Sequence, residues 1–258
     1  MIARLFLRAC NAIVNLVLVL SLLVSGAYAV YALWDNNQVL TAAENVQADM
    51  IKLKPQIDTS SEEPDNSASF AELLEINADV CGWVSMDNTK IDHPILYGEN
   101  NLSYINKDVY GNFALAGSIF LDSRNDREFA DAYSLLYGHH MADGQMFGDL
   151  DLYKDEAFFR ENRRGMLILP DKTFELEIIA CLLVGASEDM IFEPDAVRHD
   201  IQALLDYAEE NALFIHDDVL AWARETENLQ ILALSTCSSE FTDARTIVLT
   251  VMEPHAAG

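Results

Sequence analysis

The chain has 258 residues, of which 42 are acidic and 16 are basic, so its formal net charge at pH 7 is −26. This charge argues against a nucleic-acid-binding protein, because phosphate backbones require a basic surface. The length accommodates one sizeable domain with appendages. The acidity indicates a solvated outer surface and would modestly favour an amine-bearing substrate.

An apolar segment without charged residues covers residues 12–33. As a helix it would measure roughly 33 Å, at about 1.5 Å per residue, enough to cross a hydrocarbon core of about 30 Å. Two arginines precede it and an aspartate follows it, so the positive-inside bias places residues 1–11 in the cytoplasm. A cleaved signal peptide is the alternative, since Ala27-Tyr28-Ala29 fits a small-x-small cleavage site. Both interpretations export the remainder of the chain.

The segment after the span, residues 34–68, is interpreted as a juxtamembrane helix followed by a polar linker. The folded domain is predicted over residues 69–252, with a short tail at 253–258. Ser69 and Glu72 have capping-box spacing, which predicts that the first helix of the domain starts at Ser69.

Beyond that helix, short apolar runs alternate with turn-forming residues, a pattern typical of strands. The predicted strands are residues 80–86, 90–97, 117–121, 133–139, 166–169, 174–186, 230–236 and 246–252. Helical spacing over residues 195–212, with a second helix at 220–224, separates the last two strands from the others. Seven or eight strands with one helical insertion predict a β-barrel or sandwich.

The cysteines differ in their sequence surroundings. Cys10 lies at the cytoplasmic edge of the span, and Cys81 and Cys181 lie inside apolar runs and are predicted to be core residues. Three scattered cysteines in an exported domain are not a disulfide scaffold. Cys237 ends an apolar run and is followed by polar residues, which favours a usable thiol.

Two other chemistry-bearing residues also lie at the ends of predicted strands. His139 ends one strand, and Arg245 opens the last strand eight positions after Cys237. A nearby cation favours the reactive thiolate, and an imidazole can move the protons that acyl transfer requires. The three residues together predict acyl transfer through a thioester.

Six sequence pieces, in this order, resemble the class B sortases, which are membrane-anchored cysteine transpeptidases of Gram-positive bacteria. They are residues 77–84 (NADVCGWV), 91–95 (IDHPI), 101–105 (NLSYI), 117–122 (GSIFLD), 137–140 (YGHH), and 234–237 (LSTC) with Arg245. The resemblance covers about residues 73–252, and the helical insertion points to class B. It implies a mostly β fold, an eight-stranded sortase barrel with an N-terminal helix and a helical insertion before the cysteine strand.

The resemblance also implies catalytic roles. Cys237 matches the nucleophile, His139 matches the general acid that then acts as base, and Arg245 matches the residue that steadies the substrate carbonyl and its oxyanion. His140 is expected to face away, because adjacent strand residues point to opposite faces.

The residues implied to contact the sorting peptide are Asn101, Ile105, Met190, Ile191 and Ser235. Met190 stands where an aromatic residue is common, and Ser238 stands where an acid can follow the cysteine. These departures from the family pattern leave the recognised motif open.

The leading hypothesis is an extracellular enzyme, held in the cell membrane by one N-terminal span, that cleaves a C-terminal sorting signal through a thioester on Cys237. It would transfer the acyl chain to an amine of a peptidoglycan precursor. Its partners would be the signal-bearing surface protein, the acceptor amine and the membrane, with no nucleic acid, metal or cofactor.

The alternatives are a pilin-polymerising sortase that uses a pilin lysine, a hydrolytic cysteine peptidase, and a non-enzymatic wall-binding domain. Papain-like peptidases place the cysteine before the histidine, whereas here His139 precedes Cys237.

Overall fold

A computed structural model describes residues 2–57, 66–237 and 244–255, without the side chains of Ile2, Ala3 and Cys237. Residues 58–65 of the predicted linker, and Ser238, lie outside the described residues. The chain divides into two compact units, Met1–Ala42 and Ala43–Gly258.

The first unit consists of the N-terminal part of one long helix, α1 (Ile2–Ile51). This single helix covers both the predicted span and the predicted juxtamembrane helix. Leu16, Leu20 and Leu23 each expose more than half of their surface, and the helix is long and apolar enough to cross a membrane. Because exposed apolar surface is unfavourable in water, this unit is compatible with a membrane anchor.

The second unit is built from short strands and a group of helices late in the chain. The strands in the described residues are β1 (Val80–Met86), β2 (Asp92–Leu96), β3 (Ile119–Leu121), β4 (Tyr133–His139), β5 (Arg164–Ile168), β6 (Thr173–Gly185), β7 (Ala212–Ile215), β8 (Ile231–Cys237) and β9 (Ala244–Pro254). The helices that follow α1 are α2 (Ser67–Ile76), α3 (Glu156–Glu161), α4 (Asp189–Phe192), α5 (Pro194–Val197), α6 (Ile201–Asn211) and α7 (Asp217–Glu225). Two 3₁₀ helices, Ala142–Gly144 and Gly148–Lys154, lie between β4 and α3.

Eight of the strands close into a barrel. They follow the order β5-β1-β2-β3-β4-β8-β9-β6, and the pairing of β5 with β6 closes the ring. The pairs β2–β3 and β4–β8 are parallel, and the other neighbours are antiparallel. Strand β7 adds to β6 beyond the part of β6 that pairs with β5. The eight-stranded barrel implied by the family resemblance is therefore confirmed.

The core forms three clusters, because strand residues alternate between the two faces of the barrel wall. The interior cluster takes residues from all eight barrel strands, among them Leu136, Leu234 and Val248. A second cluster lies between the outer face of β4, β6, β8 and β9 and the insertion helices α4 to α7. A third lies under α2 and the C-terminal end of α1, where Met50 and Phe70 pack on Trp83.

Two details of the predicted elements are wrong. Helix α2 begins at Ser67 rather than Ser69, and the Ser69 hydroxyl donates to the Asn66 carbonyl (2.7 Å) inside the first turn, so no capping box forms. The predicted helix over residues 195–212 is divided into α5 and α6, because the Asp200 carboxylate accepts from the Ala203 amide (3.0 Å) and starts a new helix. Strand β7, which follows α6 directly, was not predicted.

Candidate active site

The parallel pairing of β4 with β8 brings two of the predicted catalytic positions together. The register runs from Tyr133 opposite Ile231 to His139 opposite Cys237, the last pair at this end. Because parallel strands end at the same edge of a sheet, residues almost 100 positions apart become direct neighbours. The backbone of Cys237 belongs to β8, while its side chain lies outside the described residues.

Strand β9 supplies the third position. It runs antiparallel to β8 with Ser235 opposite Ile247, and continuing this register by one two-residue step places Arg245 opposite Cys237. The Arg245 side chain is partly exposed, and one of its guanidinium nitrogens donates to the Thr236 carbonyl (3.5 Å). Positions 139, 237 and 245 therefore lie on three adjacent strands at one end of the barrel.

Strand alternation assigns these three positions to one face. Leu135 on β4, Ala233 on β8 and Ile247 on β9 belong to the outer cluster beneath the insertion helices. Positions 139, 237 and 245 are separated from them by even numbers of residues, so they continue the same face towards the strand ends. The site therefore lies on the outer face, at the margin of the helical insertion.

The imidazole of His139 is oriented by a backbone carbonyl. It is half-buried, and Nε2 lies 2.7 Å from the Ile105 carbonyl oxygen. Because a carbonyl oxygen can only accept, Nε2 carries a proton and donates it to this hydrogen bond. This hydrogen bond uses Nε2 and does not involve Nδ1.

Two glycines make room for this arrangement. Gly117 has φ of +59°, and a Cβ at this position would lie 2.5 Å from the Ile105 carbonyl oxygen that binds His139. At Gly138, a Cβ would lie 2.4 Å from the Ile119 side chain and 2.7 Å from that of Phe147. The glycines in the motifs GSIFLD and YGHH therefore permit close approach of the elements that hold His139.

The neighbouring histidine has a different environment. His140 is exposed, and its Nε2 lies 3.0 Å from an Asp151 carboxylate oxygen. His139 and His140 are consecutive at the end of a strand, so they point to opposite sides of the barrel wall. This agrees with the expectation that only one of the two histidines faces position 237.

Asn101 contributes to a polar network rather than presenting a free amide. Its side chain donates to the Asp122 carboxylate (2.9 Å) and accepts from the Ser123 amide (2.8 Å). Asp122 is fully buried and also accepts from the Tyr137 hydroxyl (2.9 Å) and from the Arg124 guanidinium (2.8 Å). Burial opposes ionisation of Asp122, but hydrogen bonds from Arg124 and Asn101 and the Arg124 charge outweigh it and lower the pKa of this carboxyl.

This Asp122 network was not predicted from the sequence, in which Asp122 is noted only as the last residue of the motif GSIFLD. Arg124 also donates to the Phe192 carbonyl (2.7 Å) and to the Glu193 carboxylate (2.8 Å), so it ties the barrel to α4. The signal that could have indicated the network is an acid directly after a buried strand with an arginine two residues later.

The other predicted peptide contacts lie in different environments. Ile105 is half-buried beside His139, and Met190 is half-buried on α4. Ile191 is fully buried in the outer cluster, and its carbonyl accepts from the Tyr133 hydroxyl (2.8 Å). Ser235 is also fully buried, and its hydroxyl donates to the Thr236 carbonyl (3.3 Å). The side chains of Ile191 and Ser235 are thus buried in this structure, and the peptide contacts of all five residues stay predictions.

The predicted core role of two other cysteines is confirmed. Cys81 is 5% exposed and Cys181 is fully buried, and neither forms a disulfide. Burial raises the pKa of each thiol to about 12. Neither thiol is therefore available as a thiolate near neutral pH.

Known proteins with similar sequences and structures identify the family. No protein-family model matches the chain. Sortase B of Staphylococcus aureus is 26% identical over 242 residues, which cover 93% of this chain and 94% of that protein. Sortase B of Listeria monocytogenes is 28% identical over 208 residues, which cover 81% of both chains.

A solved structure extends the similarity to the fold. The crystal structure of a Streptococcus pyogenes class B sortase involved in pilus biogenesis is 36% identical and superposes with a TM-score of 0.64. The match covers 71% of this chain and 97% of that one. With the barrel, the insertion and the order of motifs in agreement, the chain belongs to the class B sortases and is a sortase-type cysteine transpeptidase.

Proposed function

We propose that this enzyme cleaves a C-terminal sorting signal through a thioester on Cys237 and transfers the acyl chain to an amine of a peptidoglycan precursor. The observation that carries the proposal is the strand register. It pairs His139 with Cys237 and, continued along β9, sets Arg245 opposite the cysteine. This supplies a nucleophile, a proton carrier and a fixed cation at one edge of the barrel.

In the first half-reaction, the Cys237 thiolate attacks the carbonyl carbon of the scissile peptide bond. The carbonyl electron pair moves onto oxygen, and the Arg245 guanidinium stabilises the resulting negative charge. Collapse of this intermediate breaks the carbon–nitrogen bond, and Nδ1 of His139 gives its proton to the departing amine. The peptide acyl group remains on sulfur as a thioester.

In the second half-reaction, the acceptor amine attacks the thioester carbon. Nδ1 of His139 takes a proton from this amine, and the Cys237 thiolate leaves as the new amide forms. Throughout the cycle, the hydrogen bond from Nε2 to the Ile105 carbonyl keeps the ring in one orientation. Transfer rather than hydrolysis requires that the amine reach the thioester before water does.

The test uses the full-length protein in detergent with a panel of fluorogenic peptides that carry candidate sorting motifs. We expect wild type to cleave at least one peptide and to form a covalent adduct on Cys237. The mass of the protein should increase by the mass of the acyl fragment. Cys237→Ala should lose both cleavage and adduct, while Cys10→Ala should keep both. Cleavage by Cys237→Ala would refute the proposed nucleophile.

A pilin lysine is the second candidate acceptor, because the Streptococcus pyogenes relative is involved in pilus biogenesis. The same thioester would form, so only the second half-reaction distinguishes the two functions. The thioester should be offered equal concentrations of a peptidoglycan stem-peptide amine and a pilin-derived lysine peptide. Preferential amide formation with the stem peptide supports wall anchoring, and preference for the lysine peptide supports pilus assembly.

We further propose that the apolar part of α1 anchors the enzyme with its N-terminus in the cytoplasm and the barrel outside. The support is the exposed apolar surface of the helix and the two arginines that precede it. Protease treatment of intact protoplasts should digest the barrel and leave an N-terminal fragment in the membrane. A protected barrel would contradict this orientation.

A further inference from the structure

The carboxylate of Asp151 lies at the same end of the barrel as the proposed catalytic residues. It belongs to the 3₁₀ helix Gly148–Lys154, which is held against the barrel by Leu150 and Tyr153, both fully buried. The backbone that carries Asp151 is therefore fixed on both sides of the residue.

Asp151 bridges two of the strands that carry the site. One carboxylate oxygen accepts from the Thr246 hydroxyl on β9 (2.8 Å). The other lies 3.0 Å from His140 Nε2, directly after β4, and 2.8 Å from the Lys154 ammonium. Partial burial opposes ionisation of Asp151, but the hydrogen bonds from Lys154 and Thr246 and the nearby positive charges outweigh it and lower its pKa. The residue is therefore a charged acceptor at neutral pH.

The network continues to the third strand. The backbone amide of Thr246 donates to the hydroxyl oxygen of Thr236 on β8 (3.3 Å). Thr246 is 4% exposed and Thr236 is 3% exposed, so these bonds are shielded from water. His140 follows His139, Thr236 precedes Cys237 and Thr246 follows Arg245. Each proposed catalytic residue thus has a chain neighbour in one connected set of hydrogen bonds on the opposite face.

We propose that Asp151 is a positioning residue that holds the ends of β4 and β9 in place beside β8, and thereby sets the relative positions of His139, Cys237 and Arg245. The proposal rests on the proposed catalytic roles of those three residues. Asp151 does not touch substrate in this scheme, and its effect is carried by the strand ends. Displacements of about 1 Å in reacting groups can cost about 100-fold in rate, so small shifts at these ends are consequential.

The experiment measures single-turnover thioester formation by the full-length enzyme over a range of sorting-peptide concentrations, which separates the maximal rate from the peptide affinity. The variants are Thr246→Val, which removes the hydroxyl at similar size, and Thr246→Ser, which restores it. Asp151→Ala removes the acceptor, and Asp151→Asn keeps an oxygen that can accept from Thr246. Lys154→Met is the control, because it removes an ion-pair partner of Asp151 and leaves both strand contacts.

We expect Thr246→Val and Asp151→Ala each to lower the maximal rate about tenfold with little change in peptide affinity. Thr246→Ser, Asp151→Asn and Lys154→Met should stay within about threefold of wild type. The double variant Asp151→Ala with Thr246→Val should lose no more than either single variant, because both changes break one shared contact.

A wild-type rate for Thr246→Val, fully additive losses in the double variant, or an Asp151→Asn rate as low as that of Asp151→Ala would each overturn the positioning role. If the two damaging variants do not fold, inactivity of Asp151→Asn or of Lys154→Met would still overturn the positioning role, since the proposal requires both to be active. Failure of the proposed function appears separately, as a wild-type enzyme that forms no thioester with any sorting peptide, or as peptide cleavage that survives Cys237→Ala.

Discussion

A cysteine and a histidine lie on neighbouring strands both at β1–β2 and at β4–β8, but the two pairs differ in burial and in their position along the strands. Cys81 and His93 lie within the wall of the barrel and are 5% and 4% exposed. Burial raises the pKa of the Cys81 thiol to about 12 and lowers the pKa of the His93 imidazole to about 4. Both groups are therefore held neutral at physiological pH.

The β4–β8 pair places the same residue types at the ends of parallel strands. His139 is half-buried, its ring orientation is set by the Ile105 carbonyl, and its backbone lies opposite Cys237. The comparison shows that the same residue types on paired strands can be either buried or partly exposed. At the strand end His139 is partly exposed while the barrel still fixes its backbone, which suits the proposed chemistry.

The sharpest test of this contrast replaces the two histidines in parallel. We expect His139→Gln to lower the rate of peptide cleavage by about 10²–10⁴-fold, because the proton carrier is lost. His93→Gln should leave the cleavage rate of the folded protein near wild type, since the buried His93 has no role in the proposed reaction. Initial rates with a cleavable sorting peptide measure both effects, and equal losses in the two variants would remove the distinction between the regions.

The β4–β8 pair also has a cation beside it, since Arg245 on β9 lies next to position 237. Arg245→Met should lower the maximal cleavage rate by about 10²–10³-fold, the usual cost of losing a donor to a developing oxyanion. Arg245→Lys should recover only part of this loss, because lysine keeps the charge without the planar pair of donors. Steady-state kinetics should show the loss mainly in kcat, and a change confined to KM would argue for a role in peptide binding alone.

The orientation of His139 depends on a loop carbonyl, whereas the neutrality of His93 depends on burial. Gly117→Ala would place a Cβ 2.5 Å from that carbonyl oxygen, so we expect cleavage to fall by about 10- to 100-fold. Gly111→Ala is the matched control, since Gly111 also has a positive φ (+80°) but a Cβ there would meet nothing within 4 Å. An equal loss of activity in the two variants would show that backbone strain, rather than displacement of the Ile105 carbonyl, lowers the rate.

We expect the buried His93 to affect the pH dependence of protein stability rather than the cleavage rate. Because the pKa of His93 is lowered to about 4 in the folded protein, the unfolded chain binds a proton that the folded one excludes between about pH 6.5 and 4. The free energy of unfolding should therefore fall with decreasing pH in this window, by up to about 1.4 kcal/mol per pH unit from this residue. Denaturant unfolding of the full-length protein in detergent measures the slope.

His93→Gln should make this slope shallower. A residual slope is expected, because burial also lowers the pKa of His216. An unchanged slope in His93→Gln would show that His93 is not held neutral in the folded protein.

Much of the barrel could be predicted from the sequence, since apolar runs bounded by turn residues mark the strands. The predicted strands at residues 80–86 and 133–139 coincide with β1 and β4. Strand β7 was missed because it has only four residues, three of them partly buried and one exposed, and only three of the four pair with β6. The start of α2 was misplaced because the Asn66 side chain donates to Leu169 and Thr173, far along the chain, instead of capping the helix.

The three proposed catalytic residues could be predicted from the sequence, but the hydrogen bonds around them could not. A thiol, an imidazole and a guanidinium at the ends of apolar runs are visible in the sequence, and the motif order indicates the family. The hydrogen bonds of Asp122 and Asp151 join residues from separate elements, so no local sequence pattern predicts them. Likewise, the full burial of Ile191 and Ser235 depends on how the insertion packs on the barrel.

Local periodicity and residue chemistry are sufficient to predict the apolar N-terminal helix, the barrel strands and the residue types of the site. Tertiary packing decided which face each residue occupies and which thiols and imidazoles are buried. It also decided that His139 lies opposite Cys237, because a parallel pairing between distant strands is a non-local contact. Local propensity cannot specify such a register, whereas burial of one face of each strand does.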